Sequence, residues 1–422
     1  MNWVKNWDVL ATTENRKLAL EIMEAGLDAI NTKNVVNSSV SLVGEILSIK
    51  GKEFDLTKFK NIKVVGFGKS SCLAALALEG ILGSKIGGGV VIGLEKVATQ
   101  YIETFAGSHP RPSKMNIPPS QKIYEIVKDS KADDLIIVLA SGGGSALLCY
   151  GDYEYLEGVK LYEAFLKLGK TISEINTVRK HLSLLKGGGL VKLAYPSTVI
   201  GLIFSDVPGD IFEDVASGPT YKDNTTIDSA RKIIRENNLG EFNLIETPKE
   251  DKYFEKVHNF VLVSNKTAVE AMAKKVQDFN LEVNIASTDL YDETNKALDK
   301  IFSFQKNNSV VLAAGEPSVV IRKKGGKGGR SLHMGLRAIK KQIVDKDSVF
   351  ISFASDGMDN SAAAGALVDE NTIKKSIKLN LNIDEALESF DSYTFFEKTG
   401  DMIITGPTGA NVSDLMILLT KK

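Results

Sequence analysis

Two residues of this chain stand where their type and placement point to chemistry: a lysine directly after a glycine turn, Gly68-Lys69, and an arginine directly after another, Gly328-Gly329-Arg330. Each stands between a run that reads as strand and one that reads as helix, and a helix start disfavours a cation through its dipole. Stability alone does not select a cation there, whereas an anionic ligand would. Glycine-rich turns supply a second ingredient. Ser141-Gly142-Gly143-Gly144-Ser145 and Lys186-Gly187-Gly188-Gly189 allow backbone N–H groups to converge on one point, with no Cβ to hold an anion away. Aspartate loops supply a third, in Ser205-Asp206-Val207-Pro208-Gly209-Asp210 and Ser355-Asp356-Gly357-Met358-Asp359. A carboxylate just past a strand end suits a divalent cation or a general base. Backbone donors, fixed cations and carboxylates are together the equipment that phosphoryl transfer requires.

Strands and helices must hold these loops. The run Asp134 to Ala140, made of β-branched and leucine side chains, reads as a strand buried on both faces. Lys63–Gly66, Gly89–Gly93 and Ser197–Phe204 read as further strands, and Lys69–Leu82, Pro119–Lys128, Tyr155–Leu168 and Ser173–Leu185 as helices. Ahead of them, apolar spacing from about Asn15 to Leu47 predicts two helices that cover a sheet. The pattern restarts at Phe260–Val263 and repeats strand and helix through Ser348–Phe353, which again predicts a parallel sheet with helices on both faces. The fold class is therefore α/β, with two Rossmann-like three-layer domains and mainly parallel sheets. A polar, charge-rich stretch sets the boundary, giving domains at residues 1–225 and 259–422 joined by a connecting segment, 226–258.

Composition narrows the classes of partner. A chain of 422 residues, 43% hydrophobic and 25% charged, describes a globular protein of two domains, and 52 basic against 53 acidic residues provide no bulk field for nucleic acid or an anionic membrane. No apolar run approaches the roughly 20 residues of a membrane span, and the first residues lack a signal-peptide pattern, so a cytoplasmic location is expected. Cys72 and Cys149 form no paired motif, which argues against a disulfide framework or a cysteine-held metal. His109 lies in a proline-fixed loop able to present polar groups to a ligand. The consecutive cations Arg179-Lys180-His181 cannot share one solvated helix face, so at least one should point inward.

The motifs Gly68-Lys69, Gly107-x-His109-Pro110, Ser141-Gly-Gly-Gly-Ser145, Asn176-Thr-Val-Arg-Lys-His181, Lys186-Gly-Gly-Gly, Ser205-Asp206, Ala216-Ser-Gly-Pro-Thr220, Gly315-Glu316, Gly328-Gly-Arg330, Ser355-Asp356-Gly-x-Asp359 and Thr405-Gly-Pro-Thr-Gly-x-Asn411, in this order, resemble the type II glycerate kinases, which carry an N-terminal kinase domain and a C-terminal MOFRL domain. The resemblance covers nearly the whole chain. It implies ATP-dependent phosphorylation of D-glycerate at the 2-hydroxyl, giving 2-phosphoglycerate and ADP, with Mg²⁺ or another divalent cation, in a cleft between the domains. Lys69 and Arg330 would be the catalytic cations, and Asp206 would position the metal, with Asp210, or accept the hydroxyl proton. Matching motif positions carry substrate and nucleotide contacts onto Gly68, Ser70, His109, Ser141, Gly142, Gly143, Gly144, Ser145, Arg179, Lys186, Gly187, Gly188, Glu316, Asp356, Asp359, Thr408 and Asn411. Partners are then the small molecules D-glycerate and ATP, with no nucleic acid and no membrane, and a homodimer as the assembly to test. One departure bears on acceptor range: after the arginine the family continues with Asn, a polar residue and Glu, where this chain reads Ser331-Leu332-His333.

Two further readings come from other classes. Gly66-x-Gly68 after a strand is part of a dinucleotide fingerprint, with Ser71 as its third small residue and Glu95 as its acid, which would make an NAD(P)-dependent hydroxypyruvate reductase. The same loops without turnover would make a sugar-phosphate sensor.

Overall fold

The computed structural model describes residues 2–168, 172–209, 211–321 and 325–422. Contacts divide the chain into two compact units, residues 32–262 and residues 1–31 together with 263–422. Among the described residues the strands of the 32–262 unit form two sheets. A small antiparallel meander comes first: β1 (Val40–Val43), β2 (Ile46–Ile49) and β3 (Lys52–Asp55). Helical spacing had extended over these residues as far as Leu47. Instead the second helix ends at Ser39, and β-branched alternation takes over at Val40.

The main sheet holds β4 (Asn61–Phe67), β5 (Ile86–Gly93), β6 (Ile102–Ala106), β7 (Asp134–Ser141), β8 (Thr198–Phe204) and β9 (Val257–Val263), in the order β6-β5-β4-β7-β8-β9. β4 to β8 pair in parallel. Every residue of β7 is buried, as its unbroken apolar run requires when helices cover both faces of a parallel strand. Its one charged residue, Asp134, accepts hydrogen bonds from Asn61 Nδ2 at 2.7 Å and Lys63 Nζ at 3.1 Å, which meets the cost of burying it. Val65, Phe67, Ile136, Val138 and Ile203 build the core on one face with Ile123 and Val127 of the helix Ile117–Lys128. A separate cluster of Leu161, Val178, Leu182, Ala230 and Ile234 fixes the helix Ile172–His181.

The other unit is also α/β, but its sheet departs from the parallel expectation. Its strands are β10 (Glu282–Leu290), β11 (Ser309–Gly315), β12 (Ser348–Ala354), β13 (Gly365–Val368), β14 (Met402–Ile403) and β15 (Asp414–Thr420), in the order β10-β11-β15-β12-β13-β14. Only β10 and β11 pair in parallel. The reason is connectivity. A parallel pair needs a crossover, usually a helix, and the chain between Ala354 and Gly365 contains none. The last strand, β15, enters between β11 and β12 antiparallel to both, which sets Asp414 opposite Gly315 and Ala354.

The helix Glu14–Ile30 belongs to this unit rather than to the first domain of the sequence expectation. An amphipathic helix fits any apolar face, so its own residues could not name its partner. The partner is fixed by Gly26 against Met272 of the helix Asn265–Gln277 and by a buried ion-pair network. Arg16, fully buried, donates from Nε to Asp369 at 2.6 Å, from Nη2 to the same carboxylate at 2.5 Å, and from Nη1 to Asp401 at 2.8 Å. Among the described residues no helix is long and apolar enough to cross a membrane.

Breaking this network leaves the buried Asp369 without its counter-charge and Asp401 with Lys375 alone, at 3.0 Å. Arg16→Ala should therefore cost about 3–5 kcal/mol in chemical denaturation followed by circular dichroism, and a loss within the roughly 1 kcal/mol typical of a surface pair would contradict the assignment.

Candidate active site

Parallel strands open their carboxyl ends on one edge, and the order β6-β5-β4-β7-β8 places the reversal of chain direction between β4 and β7. In open α/β sheets the ligand crevice lies at that point. The loops leaving β4 and β7 are Gly68-Lys69-Ser70 and Gly142–Ser145, and they are tied together. Lys69 N–H donates to the Gly142 carbonyl at 2.8 Å, Ser70 N–H donates to Ser141 Oγ at 3.1 Å, and the Ser71 and Ser141 hydroxyls lie 3.1 Å apart. Gly68 has φ 128°, and a side chain there would run into Ser141, so only glycine satisfies both demands.

Three strand ends deliver side chains to Gly142 and Gly143. A Cβ on Gly142 would overlap the Asp206 carboxylate, which comes from the loop after β8. One on Gly143 would stand 2.9 Å from His109 Cδ2 and 3.2 Å from Lys69 Cγ, which come from the loops after β6 and β4. Outside the β7–β8 ladder, which brings Ser141 beside Phe204, no backbone carbonyl of another loop among the described residues accepts the N–H of Gly142 or Gly143. The glycine run turns at the end of β7 as the sequence predicts, but the helix behind it differs from expectation. It is a single turn, Gly144–Leu147, so its dipole adds little, and the local positive charge comes from side chains. Lys69 likewise precedes the helix Ser71–Leu82 instead of opening it. The imidazole of His109 is pushed down to about 4, by burial first and then by the charges of Lys69 and Arg179. It is neutral at pH 7, with one nitrogen donating and the other accepting.

Other residues expected at the site do different work. Ser141 is 1% exposed and its hydroxyl is used beneath the loop. Ser145 shares a hydrogen bond of 2.8 Å with Ser217, whose hydroxyl reaches Asn176 Oδ1 at 3.1 Å. The amides of Gly187 and Gly188 donate to the carbonyls of Ser217 and Gly218 at 2.9 and 2.8 Å, so this second glycine run is a loop clasp and not an anion cradle. Lys186 Nζ is buried against Glu154 and the Leu148 carbonyl. Of the three consecutive cations, Lys180 pairs with Asp214 at 3.0 Å and His181 with Glu246 at 3.1 Å. Arg179 has no such partner among the described residues, and its side chain lines a small cavity with Pro112, Ser145, Cys149 and Glu154. Asp210 lies outside the described residues. Both cysteines are buried, with thiol pKa values pushed up by that burial, so neither is poised as a nucleophile.

In the other unit Arg330 opens the helix Arg330–Lys340. Its guanidinium donates from Nε to Asp414 at 2.9 Å and from Nη2 to Glu316 at 3.1 Å. Asp359 caps the same helix, accepting from the N–H groups of Gly329, Ser331 and Leu332 at 3.2, 3.2 and 2.7 Å. Burial pushes Asp359 up to about 6 against those three donors. Asp414 is pushed up to about 7, by burial first, with Asp359 and Glu316 adding to the rise and Arg330 opposing it. Asp356 Oδ1 accepts from Met358 N–H at 3.1 Å. Thr408 donates to the Ser355 carbonyl at 2.6 Å, and Asn411 Oδ1 accepts from Ser355 Oγ at 3.4 Å, so these two tie the 405–411 loop to the 355–359 loop. His333 stacks on Phe390 and accepts from Arg337 Nε at 3.3 Å, and burial first, then the Arg337 charge, holds it neutral.

Sequence reasoning missed Asp414. It stands three residues after Asn411, and its part depends on an antiparallel register that spacing does not reveal. Reasoning also missed the carboxylates that neutralise Lys180 and Lys186, since Asp214 and Glu154 lie in other elements. Among the described residues no three His, Cys, Asp or Glu side chains gather closely enough to hold a metal by themselves.

Comparison with known proteins finds mainly glycerate kinases, and also a putative hydroxypyruvate reductase of Agrobacterium vitis, 33% identical over 84% of this chain and 86% of that one. A family model described as a domain of unknown function, DUF4147, matches residues 18–247, and the MOFRL family model matches residues 309–414. The chain is 33% identical to a glycerate 2-kinase of Pyrococcus horikoshii, over 96% of this chain and 97% of that one. It is 32% identical to a D-glycerate 2-kinase of Thermotoga maritima, over 95% and 97%. The crystal structure of a glycerate kinase from Thermotoga maritima superposes with a TM-score of 0.82 at 29% identity, covering 96% of this chain and 99% of that one. Motifs, fold and full-length similarity agree: the chain belongs to the type II glycerate kinase family.

Proposed function

We propose that the chain transfers the γ-phosphoryl group of ATP to the 2-hydroxyl of D-glycerate, giving 2-phosphoglycerate and ADP. The observation that carries this reading is the meeting of Lys69, His109 and Asp206 against the bare glycines Gly142 and Gly143. The amides of these glycines and the Lys69 ammonium would bind the phosphoryl oxygens as charge builds on them, which is where fixed donors lower a barrier most. Neutral His109 can donate to a phosphoryl oxygen or accept from the acceptor hydroxyl without bringing a further charge. Asp206 would take the hydroxyl proton or contribute to a cation site. A Mg²⁺ ion is generally held by one or two carboxylates together with substrate phosphates, and a single carboxylate beside a glycine cradle fits that donor set; such an ion would neutralise phosphate charge. Arg330, whose guanidinium already carries Glu316 and Asp414, is assigned the second cationic role.

The reductase reading is less well served. A dinucleotide fingerprint needs its second glycine open to the pyrophosphate, and the space over Gly68 is filled by Ser141. Glu95, its candidate acid, is exposed.

Incubation with D-glycerate and ATP, followed by phosphorus NMR, should yield the resonance of a 2-phosphate ester, and Lys69→Ala should lower kcat by about 10²–10³-fold. A 3-phosphate ester would overturn the regiochemistry. Unchanged turnover in the variant would remove Lys69 from the chemistry, and oxidation of NADH by hydroxypyruvate without phosphoryl transfer would replace the reading altogether.

His109 provides a pH test. Its folded value, about 4, lies below the ordinary 6.5, so an unfolding chain takes up a proton as the pH falls between the two. The stability it contributes is full above 6.5 and is lost as the pH drops toward 4. Its ring resonances in carbon–proton NMR should titrate near 4, with no change of its charge between pH 6.5 and 8. A midpoint at or above 6.5 would show that Lys69 and Arg179 do not press on it.

A further inference from the structure

Most of the internal cations of this fold are matched by carboxylates. Lys180 lies 3.0 Å from Asp214 and 3.6 Å from Asp223, Lys186 is held by Glu154, Arg16 by Asp369 and Asp401, and Arg330 by Asp414 and Glu316. Arg179 breaks the pattern. It makes no hydrogen bond or ion pair with any described residue, yet it is fixed on a helix anchored by Val178 and Leu182 in an apolar cluster. Its guanidinium borders a small cavity whose one carboxylate, Glu154, is taken by Lys186. Burial alone lowers its proton affinity to about 10, with Tyr162 opposing the fall. A place in the last turn of a helix favours a cation, but a solvated arginine would collect that benefit without entering a cavity.

We propose that Arg179 recognises the carboxylate of the acceptor, so that the substrate class of this site is a small hydroxy acid gripped by a guanidinium fork next to His109. The inference rests on the phosphoryl-transfer reading of the same unit and adds the residue that selects an acid over a neutral polyol. A planar carboxylate matches two parallel guanidinium N–H groups. Lys69 and the Gly142 and Gly143 amides remain for the phosphoryl end, and His109 stands between the two poles, under the charge of both cations. Arg330 is the poorer candidate for this task. The fork it would need is already engaged, Nε by Asp414 and Nη2 by Glu316.

Steady-state kinetics and calorimetry on the full chain test this. Removing one partner of a buried charge pair costs at least about 2 kcal/mol, so Arg179→Gln should raise KM for D-glycerate by at least about 30-fold and leave KM for ATP unchanged. Arg179→Lys, which keeps the charge but loses the fork, should fall between, and it guards against a folding defect, which thermal melting of both variants would reveal. The preference for D-glycerate over glycerol should collapse in Arg179→Gln. A raised KM for ATP with KM for D-glycerate unchanged would hand Arg179 to the nucleotide phosphates, and no change in either would leave it a structural residue; both outcomes overturn the proposal. Calorimetric titration of D-glycerate without nucleotide separates this inference from the reading on which it rests. Binding to the wild type that is lost in Arg179→Gln, in a protein that turns over no ATP, would sustain the recognition and sink the kinase chemistry. Turnover with D-glycerate binding equally well to both would do the reverse.

Discussion

Parallel pairing of β4 and β7 is the constraint on which the rest of the 32–262 unit depends. Register sets Phe67 beside Ala140 and Ser141 beside Phe204, so three strands end at one level. From there the loops have little freedom. Gly68 must be glycine for Ser141 to pack on it, Ser141 must be a hydroxyl to hold Ser70 and Ser71, and Gly142 must be bare for Asp206 to lie against it. A slip of one residue in that pairing would turn every side chain to the other face and dissolve the site.

Electrostatics then divides the charged residues into two kinds. Carboxylates from distant elements neutralise the cations that hold the fold together, as Arg16 and Lys180 illustrate. Around the glycine turn the balance is different, for burial first, and then the nearby charges of Lys69 and Arg179, keep His109 neutral. In the other unit the excess runs the opposite way, with Arg330 among Glu316, Asp359 and Asp414 and with two of those carboxyls pushed up toward neutral pH. Arg179 and Arg330 thus sit in opposite fields.

How much of this could be read from the sequence depends on range. The buried run at β7 and the glycines after it were legible because burial on both faces leaves an unbroken apolar signature and a tight turn leaves glycine. Lys69, His109 and Asp206 were legible as residues beyond strand ends, and their convergence followed from parallel order. Whatever depended on long-range register was hidden. The motif of Gly187 and Gly188 looks like a cradle until the carbonyls of Ser217 and Gly218 are seen to occupy its amides. The direction of β15, the attachment of the helix Glu14–Ile30 and the capping of Arg330 by Asp414 are decided by pairings that no local pattern encodes.

The account stands on the claim that the amides of Gly142 and Gly143 receive phosphoryl oxygens. Selective ¹⁵N-glycine labelling, with titration by a non-hydrolysable ATP analogue and Mg²⁺, observes those amides directly. The account predicts that the resonances of Gly142 and Gly143 move downfield and saturate together with nucleotide binding, while Gly187 and Gly188, already bonded within the protein, stay in place. Saturable binding that moved Gly187 and Gly188 but left Gly142 and Gly143 unshifted would contradict it.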